Sequence, residues 1–230
     1  LHLAMLTAAE QVTLVNTVPS AMVELLRLQA IGNGVLSVNL AGETLKRSLV
    51  QDIYSQTGVE SVRNLYGPTE YTTYSTGENV QRDCEGEPTI GRPIANTQTY
   101  ILDQAMALTP PGVAGEIFIG GHGLARGYLN RPELTAERFL PDSLSGNTGL
   151  RLYRTGDLGK YLDDGTIEYL GRKDHQVKIR GYRIELGEVE TALEQHDSIR
   201  EAVVVATGEA EEHRLVAYVV SVQRSIDRES

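Results

Sequence analysis

The stretch Gly171–Glu190 reads GRKDHQVKIRGYRIELGEVE and places five basic and four acidic side chains in twenty residues. Apolar residues alternate with polar ones around Val177, as in a half-buried strand. Gly181 interrupts this alternation, which resumes at Ile184, and a helical pattern begins at Glu188. The stretch therefore predicts a strand, a turn, a second strand and a helix. Taken alone, it fits an ordinary charged hairpin or a functional loop.

The sequence upstream of residue 90 alternates short β-branched runs with amphipathic patterns. The helical patterns follow Pro19 and span Leu45–Gln56, and Leu1–Glu10 has helical spacing as well. The predicted strands are Val12–Val18, Val35–Leu40 and Ser61–Leu65. Strands that alternate with helices across short turns predict a parallel α/β layer over residues 1–89.

From residue 90 onward the sequence is richer in strands. Short alternating runs are separated by Pro-Gly, Gly-Gly and Asp-Gly turns, and Asp164-Gly165 is a hairpin signal. Residues 90–173 therefore predict a small barrel or a distorted sheet, interrupted by one helix at Pro132–Phe139. Residues 174–230 predict a small α+β unit with the hairpin, a helix at Glu188–Gln195 and two strands. The expected fold is thus a large α/β domain, residues 1–173, followed by a small α+β domain.

Composition limits the classes of partner and compartment. The 230 residues carry 31 acidic and 21 basic side chains, a net charge of −10, which argues against nucleic acid and against anionic membranes as partners. The single cysteine, Cys84, excludes an internal disulfide and fits a reducing, cytoplasmic compartment. No apolar run reaches the ~18 residues of a membrane helix. Because the chain starts at Leu1 without a methionine, we expect a piece of a longer polypeptide.

The sequence NLYGPTE, residues 64–70, follows the third predicted strand. Ligands of parallel α/β layers lie beyond the carboxyl ends of the strands. Gly67-Pro68 predicts a tight turn, after which Thr69 and Glu70 offer a hydroxyl and a carboxylate. An ordinary loop with a buried tyrosine is the alternative interpretation.

Four motifs in order resemble those of adenylate-forming enzymes: YGPTE, GEIFIGGHGLARGYL, YRTGDLG and GRKDHQVKIRGYRIELGEVE. They are most similar to the amino-acid-activating adenylation domains of nonribosomal peptide synthetases, which serve secondary-metabolite biosynthesis. The resemblance implies that an amino-acid carboxylate attacks the α-phosphorus of ATP to give an aminoacyl adenylate. The phosphopantetheine thiol of a carrier domain then takes the acyl group.

The resemblance also implies roles for the loop after the third strand. Tyr66 stacks on adenine, the Thr69 hydroxyl binds the α-phosphate, and Gly67 belongs to the same nucleotide-binding turn. Glu70 would hold Mg²⁺, a hard cation that suits a carboxylate and phosphate oxygens. Thr69 and Glu70 are therefore the expected catalytic residues.

Two more nucleotide-binding residues are implied further along the chain. Asp157 lies in a Thr-Gly-Asp turn and would bind two ribose hydroxyls, with a turn-capping aspartate as the alternative. Arg172 is implied to bind near the ribose as well. The glycines of GEIFIGGHGLARGYL are interpreted as strand crossings and tight turns, and His122 and Arg126 are left out of the site.

The substrate-pocket positions that the resemblance implies within this sequence carry no charge, and the aspartate that pairs with the substrate amine is expected before Leu1. A charged substrate side chain would be desolvated there without a partner, and a large aromatic one would compete with Tyr74 for volume. We therefore expect a small uncharged amino acid, alanine first, with glycine or serine behind it. The lining positions are Asn16, Asn39, Ala41, Leu65, Thr73 and Tyr74.

Movement and partners are implied by the resemblance as well. Asp174 corresponds to the pivot about which the small domain rotates between the two half-reactions, and Gly181 to the loop that lines the pantetheine tunnel. Carrier and condensation domains are the expected partners. An MbtH-like protein could bind near Arg131–Phe139 against Ala136, although an ordinary amphipathic surface helix is at least as good an interpretation.

Two family features are missing from the sequence, and two alternatives stay open. Neither the Gly- and Ser-rich phosphate loop with its lysine nor the carboxyl-terminal lysine in an Asn-Gly-Lys context is present. The chain alone is therefore expected to be inactive. The alternatives are an acyl- or aryl-CoA synthetase of the same superfamily and a non-catalytic docking module.

Overall fold

The computed structural model of the chain describes residues 12–174, 176–179, 181–208 and 214–222. These residues divide into two compact units, the first ending at Lys173 and the second beginning at Asp174. The helical pattern expected over Leu1–Glu10 lies outside the described residues. Within the described ranges, no helix is long and apolar enough to cross a membrane.

The first unit begins with a five-stranded sheet and two helices. The sheet order is β1-β2-β3-β4-β5, with β1 to β3 parallel and the last two strands antiparallel. The strands are β1 Leu14–Thr17, β2 Ser37–Ala41, β3 Ser61–Tyr66, β4 Thr76–Val80 and β5 Arg92–Pro93; the helices are α1 Pro19–Arg27 and α2 Arg47–Gln56. The α/β class predicted from the sequence is confirmed. Helix α2 begins two residues later than expected because Lys46 is still extended.

One face of this sheet builds the first core. Val38, Leu40 and Val62 alternate inward along β2 and β3 and are fully buried. They pack with Met22 of α1 and with Ile53 of α2 in one hydrophobic cluster. Burial of such side chains contributes roughly 1.5–3 kcal/mol each. This core fixes the carboxyl ends of the three parallel strands relative to one another.

The second sheet of the first unit is antiparallel. Its order is β10-β9-β7-β6, and β8 pairs with β9. The strands are β6 Thr97–Leu102, β7 Gly115–Gly121, β8 Phe139–Pro141, β9 Arg151–Tyr161 and β10 Ile167–Arg172, with helix α3 Pro132–Arg138 before β8. Register shifts interrupt both the β9–β10 and the β7–β9 pairings. Among the described strands it is an open, distorted sheet, the second of the two expected forms.

A tight crossing at Gly91 joins the two sheets. Ile90 and Gly91 exchange backbone hydrogen bonds with Ile167, which starts β10. A Cβ atom at Gly91 would lie 2.0 Å from the carbonyl oxygen of Gly77 on β4. Because its φ is also +73°, only glycine fits this crossing without strain.

The second unit pairs a short hairpin with a helix and a two-stranded ribbon. Carboxylates of the helix cap the ribbon: Glu190 accepts from the amide of Val204 at 2.8 Å and Glu194 from that of Ala202 at 3.1 Å. Such bonds satisfy amides that an edge strand otherwise exposes. The elements are β11 Val177–Ile179, β12 Tyr182–Ile184, α4 Leu186–Glu194, β13 Ile199–Thr207 and β14 Arg214–Ser221.

Candidate functional site

The loop after β3 folds back on itself beside the strand end. Strand β3 ends at Tyr66, and a short 3-10 turn, Thr69–Tyr71, follows. A Cβ atom at Gly67 would lie 2.5 Å from the carbonyl oxygen of Thr73, so the two backbone segments approach as closely as glycine allows. Glu70 is buried by this fold, whereas Thr69 is exposed. The turn thus leaves the Thr69 hydroxyl open to solvent and places the neighbouring Glu70 carboxylate in the interior.

An open cleft of about 490 Å³ lies at the carboxyl ends of β1 and β2. The side chain of Asn16 hydrogen-bonds the Tyr74 hydroxyl at 2.9 Å, which joins the strand end to the loop across the cleft. The walls are formed by Asn16, Thr17, Val18, Ala41, Gly42, Gly67, Thr69, Thr72, Thr73 and Tyr74. We call this feature the Asn16–Tyr74 cleft.

Four of the six expected pocket residues line this cleft: Asn16, Ala41, Thr73 and Tyr74. Asn39 and Leu65 do not line it. They occupy positions on β2 and β3 that lie in register with Asn16 and Ala41 respectively. The side-chain oxygen of Asn39 is buried without a hydrogen-bond partner among the described residues.

Thr72 forms part of the cleft wall, although no motif or spacing in the sequence points to it. Thr72 and Thr73 have φ values of +55° and +81°, in the left-handed region. β-branched residues rarely adopt this conformation, and such strain is concentrated at functional sites. The Thr72 hydroxyl donates to the carbonyl of Gly123 at 2.8 Å and so helps to hold the strained turn.

A buried cluster of polar side chains surrounds Asp157, which is 2% exposed. The Tyr66 hydroxyl donates to Oδ2 at 2.5 Å, and Arg172 donates to Oδ1 at 2.9 Å. The Tyr169 hydroxyl also donates to Oδ1, at 3.3 Å, and its ring centroid lies 6.1 Å from that of Tyr66. We call these four residues the Asp157 cluster. The resemblance suggested Tyr66, Asp157 and Arg172, but not Tyr169.

The Asp157 carboxylate is already well supplied with donors. A carboxylate offers about four lone-pair sites, and three side-chain donors point at this one. Burial raises the pKa of Tyr66 well above its ordinary value, and the negative charge of Asp157 raises it further. Tyr66 therefore stays protonated and remains a donor. Because one acceptor site is left, Asp157 can accept from two ribose hydroxyls only if one of the three protein donors moves away from the carboxylate.

The Glu70 side chain is 8% exposed and contacts Tyr128. Its Oε1 accepts a hydrogen bond from the Tyr128 hydroxyl at 2.7 Å. The oxygens of Glu70 and Thr69 are hard donors, and Mg²⁺ characteristically combines one or two carboxylates with phosphate oxygens. The donor set therefore fits the implied metal. No group of three or more His, Cys, Asp or Glu side chains able to hold a metal occurs in the described part of the chain.

The last residues of the first unit are tied to buried acids of that unit. Besides Arg172 with Asp157, the ammonium of Lys173 lies 3.4 Å from Oε2 of Glu116. Glu116 is also paired bidentately with Arg154, at 2.9 and 3.1 Å.

The two residues with an expected role in movement lie in the second unit. Asp174 is the first residue of that unit, and its side chain accepts from the amide of Gln176 at 3.3 Å. Gly181, with φ +77°, precedes β12 in the hairpin.

These features define a class of protein. Parallel strand ends carry a cleft, an exposed hydroxyl and a buried carboxylate. Tyr66, at the end of β3, donates to Asp157 of β9, and Tyr169 and Arg172 donate to the same acid. Ligands of parallel α/β layers bind at such strand ends. The chain belongs to the AMP-binding enzyme family, whose profile matches residues 2–129.

Relatives are multidomain peptide synthetases. The chain is 57% identical over 222 residues to a linear gramicidin synthase protein of Brevibacillus parabrevis, and the match covers 96% of the chain but 4% of the synthase protein. Among solved structures, the adenylation domain AlmE of Vibrio cholerae in complex with glycyl-adenosine-5'-phosphate superposes with a TM-score of 0.81 at 27% identity. That match covers 96% of the chain and 44% of AlmE.

A second solved structure extends the comparison to a carrier domain. It is an NRPS protein with adenylation and PCP domains bound to a vinylsulfonamide inhibitor, with a TM-score of 0.86 and 29% identity. The match covers 94% of the chain and 38% of that protein. The resemblance to nonribosomal peptide synthetase adenylation domains is therefore confirmed, and the chain spans less than half the length of these structures.

Proposed function

We propose that the chain is part of an enzyme that activates an amino acid with ATP and loads it onto a carrier domain. The observation that carries the proposal is the position of the loop after β3. Tyr66, the last residue of β3, belongs to the Asp157 cluster, and Gly67 and Thr69 of the loop line the Asn16–Tyr74 cleft. The strand end and the loop that follows it thus contact both a nucleotide-type site and a small-substrate cleft.

In the first half-reaction, a carboxylate oxygen of the amino acid attacks the α-phosphorus of ATP. A new P–O bond forms, the bond to the bridging oxygen breaks, and pyrophosphate leaves. Thr69 binds the α-phosphate, Tyr66 stacks on adenine, and Asp157 and Arg172 bind the ribose. Positioning and charge stabilisation account for most of such catalysis. Glu70 would hold Mg²⁺, which supplies positive charge to the phosphate oxygens when bound.

In the second half-reaction, the phosphopantetheine thiol of a carrier domain attacks the carbonyl carbon of the adenylate. A C–S bond forms, the bond between the carbonyl carbon and the phosphate oxygen breaks, AMP leaves, and the thiol proton is released to solvent. Asp174 is the proposed pivot between the two states, and Gly181 lines the path of the thiol. A pivot needs a residue whose backbone dihedrals change while its flanks stay packed.

The proposed substrate is a small uncharged amino acid, alanine before glycine or serine. The uncharged lining of the Asn16–Tyr74 cleft supports this class, as does the glycyl adenylate bound by AlmE. An MbtH-like helper at α3 is proposed on the exposure of Ala136. The proposed location is the cytoplasm.

The decisive experiment is amino-acid-dependent pyrophosphate exchange with the full-length protein that carries this chain. All standard amino acids are tested, together with aryl and fatty acids. Exchange with alanine, glycine or serine is expected. A preference for arginine, glutamate or tryptophan would contradict the proposed substrate class, and exchange with aryl or fatty acids alone would favour an acyl- or aryl-CoA synthetase.

A further inference from the structure

The loop between β7 and α3 brings a tyrosine to the buried carboxylate of Glu70. The Tyr128 hydroxyl donates to Oε1 of Glu70 at 2.7 Å and lies 3.4 Å from the hydroxyl of Tyr153. The contact joins residues 58 positions apart, so it exists only in the folded chain. From the sequence, this loop is explained by turns and strand crossings alone.

Tyr128 is itself held from two sides. Its amide donates to the hydroxyl of Thr135 at 2.9 Å, and that hydroxyl donates to the carbonyl of Arg131 at 2.8 Å. Its ring lies edge-on to Phe139, 5.5 Å between centroids, and Phe139 packs on Tyr153 at 5.2 Å. These contacts restrict rotation of the Tyr128 ring and so fix the position of its hydroxyl beside Glu70.

The same loop also fixes the backbone of Glu70. The amide of Ala125 donates to the Glu70 carbonyl at 2.8 Å. The guanidinium of Arg151 donates to the carbonyls of Ala125 and Arg126, at 3.1 and 3.0 Å. Main chain and carboxylate of Glu70 are thus both contacted by residues 125–128.

We infer that Tyr128 is a positioning residue, which sets the orientation of the Glu70 carboxylate for a divalent cation bound with ATP. The inference rests on the proposed function, in which Glu70 holds the metal. Hydrogen bonds to a ligating carboxylate orient it and tune its affinity, and their loss typically costs about 10–100-fold in metal affinity. Tyr128 contacts neither nucleotide nor amino acid in this role.

The test measures how much Mg²⁺ improves ATP binding to the full-length protein. The dissociation constant of ATP is determined by calorimetry with Mg²⁺ and in EDTA, for wild type and Tyr128→Phe. The variant is expected to bind ATP in EDTA as wild type does, while the gain in affinity due to Mg²⁺ falls about tenfold. In exchange kinetics, the Mg²⁺ concentration for half-maximal rate should rise while the KM for the amino acid is unchanged.

Tyr71→Phe is the matched control. Tyr71 adjoins Glu70 in sequence and is also buried, but its hydroxyl donates to Thr97 and to the carbonyl of Asn96. Its removal should leave the gain due to Mg²⁺ unchanged. If Tyr128→Phe does not fold, Thr135→Val is used instead. This change removes the hydroxyl of Thr135, which accepts from the Tyr128 amide, and leaves the Tyr128 hydroxyl in place. Thr135→Val should then lower the gain in the same direction.

The inference would be overturned if folded Tyr128→Phe kept the wild-type gain in ATP affinity due to Mg²⁺. It would also be overturned if Tyr71→Phe lost as much of that gain as Tyr128→Phe. Failure of the proposed function looks different. In that case the wild-type protein exchanges no pyrophosphate with any amino acid, whereas the binding measurement in Mg²⁺ and in EDTA still decides the role of Tyr128.

Discussion

The Asp157 cluster and the Asn16–Tyr74 cleft lie in the same unit. They differ in how fully their polar side chains are hydrogen-bonded to other side chains of the protein. Asp157 is buried with three side-chain donors around it. The cleft is open, and Asn16 and Tyr74 form an exposed side-chain pair across it. The cluster therefore contributes to the stability of the fold, whereas the cleft is left for a ligand to complete. Changes in the cluster should mainly lower the stability of the fold, and changes in the cleft should mainly alter substrate selectivity.

The largest effect is expected for Asp157→Ala. It removes the carboxylate that pairs with the Arg172 guanidinium, whose side chain is 9% exposed. Removal of one partner of a buried ion pair costs about 3–5 kcal/mol. Chemical denaturation should show a loss of this size, and Asp164→Asn at an exposed turn should show almost none. A small loss for Asp157→Ala would mean that the cluster binds ligand without stabilising the fold.

Tyr66→Phe should be milder and should separate stability from nucleotide affinity. Removal of one donor to a buried carboxylate costs about 1–3 kcal/mol in the free energy of unfolding. The acceptor site that is released becomes available to a ribose hydroxyl, so the dissociation constant of ATP should not rise in proportion. A rise in that constant that matches the loss of stability would show that the Tyr66 hydroxyl does not compete with ribose.

The buried cluster also predicts an alkaline limit to stability. Burial raises the pKa of Tyr66 in the folded protein, whereas the tyrosine of the unfolded chain has a pKa of about 10. The stabilisation is fully present below pH ~10 and is lost as pH rises toward the folded-state pKa, by up to about 1.4 kcal/mol per pH unit. Denaturation at several alkaline pH values should show a shallower decline for Tyr66→Phe. Equal slopes would contradict the assignment to Tyr66.

The smallest effect on stability is expected in the cleft. Tyr74→Ala breaks an exposed hydrogen bond, which is worth about 0.5–1.5 kcal/mol at most. Under the proposed function, the enlarged cleft should shift preference toward bulkier aliphatic amino acids by about tenfold per methylene. Pyrophosphate exchange with alanine and valine measures this ratio. An unchanged ratio would mean that Tyr74 does not limit the size of the substrate.

Most of the first unit could be predicted from local sequence. The cores of β1, β2 and β3 lie inside the predicted strands because β-branched runs bury on a sheet. Strand β4, Thr76–Val80, was missed because its sequence TGENV carries glycine and asparagine, which are poor strand formers. Its position is set by pairing with β3 rather than by its own propensity.

The sequence points to candidate site residues where a motif carries them and gives no signal where only a tertiary contact does. Tyr66, Glu70 and Asp157 belong to motifs with a definite order in the chain. Tyr128 reaches Glu70 across 58 residues, and Tyr169 reaches Asp157 across the β9–β10 pairing. No spacing rule links such pairs, because the sheet brings them together.

The two ion pairs before the unit boundary have a consequence for protein engineering. All four residues of these pairs, Arg172 with Asp157 and Lys173 with Glu116, precede the peptide bond between Lys173 and Asp174. A recombinant chimera that is spliced at this bond inherits each acid together with its base, whichever foreign segment follows. A splice placed a few residues earlier would separate a buried carboxylate from its native cation. The junction after Lys173 is therefore the crossover point at which exchanged segments disturb these charges least.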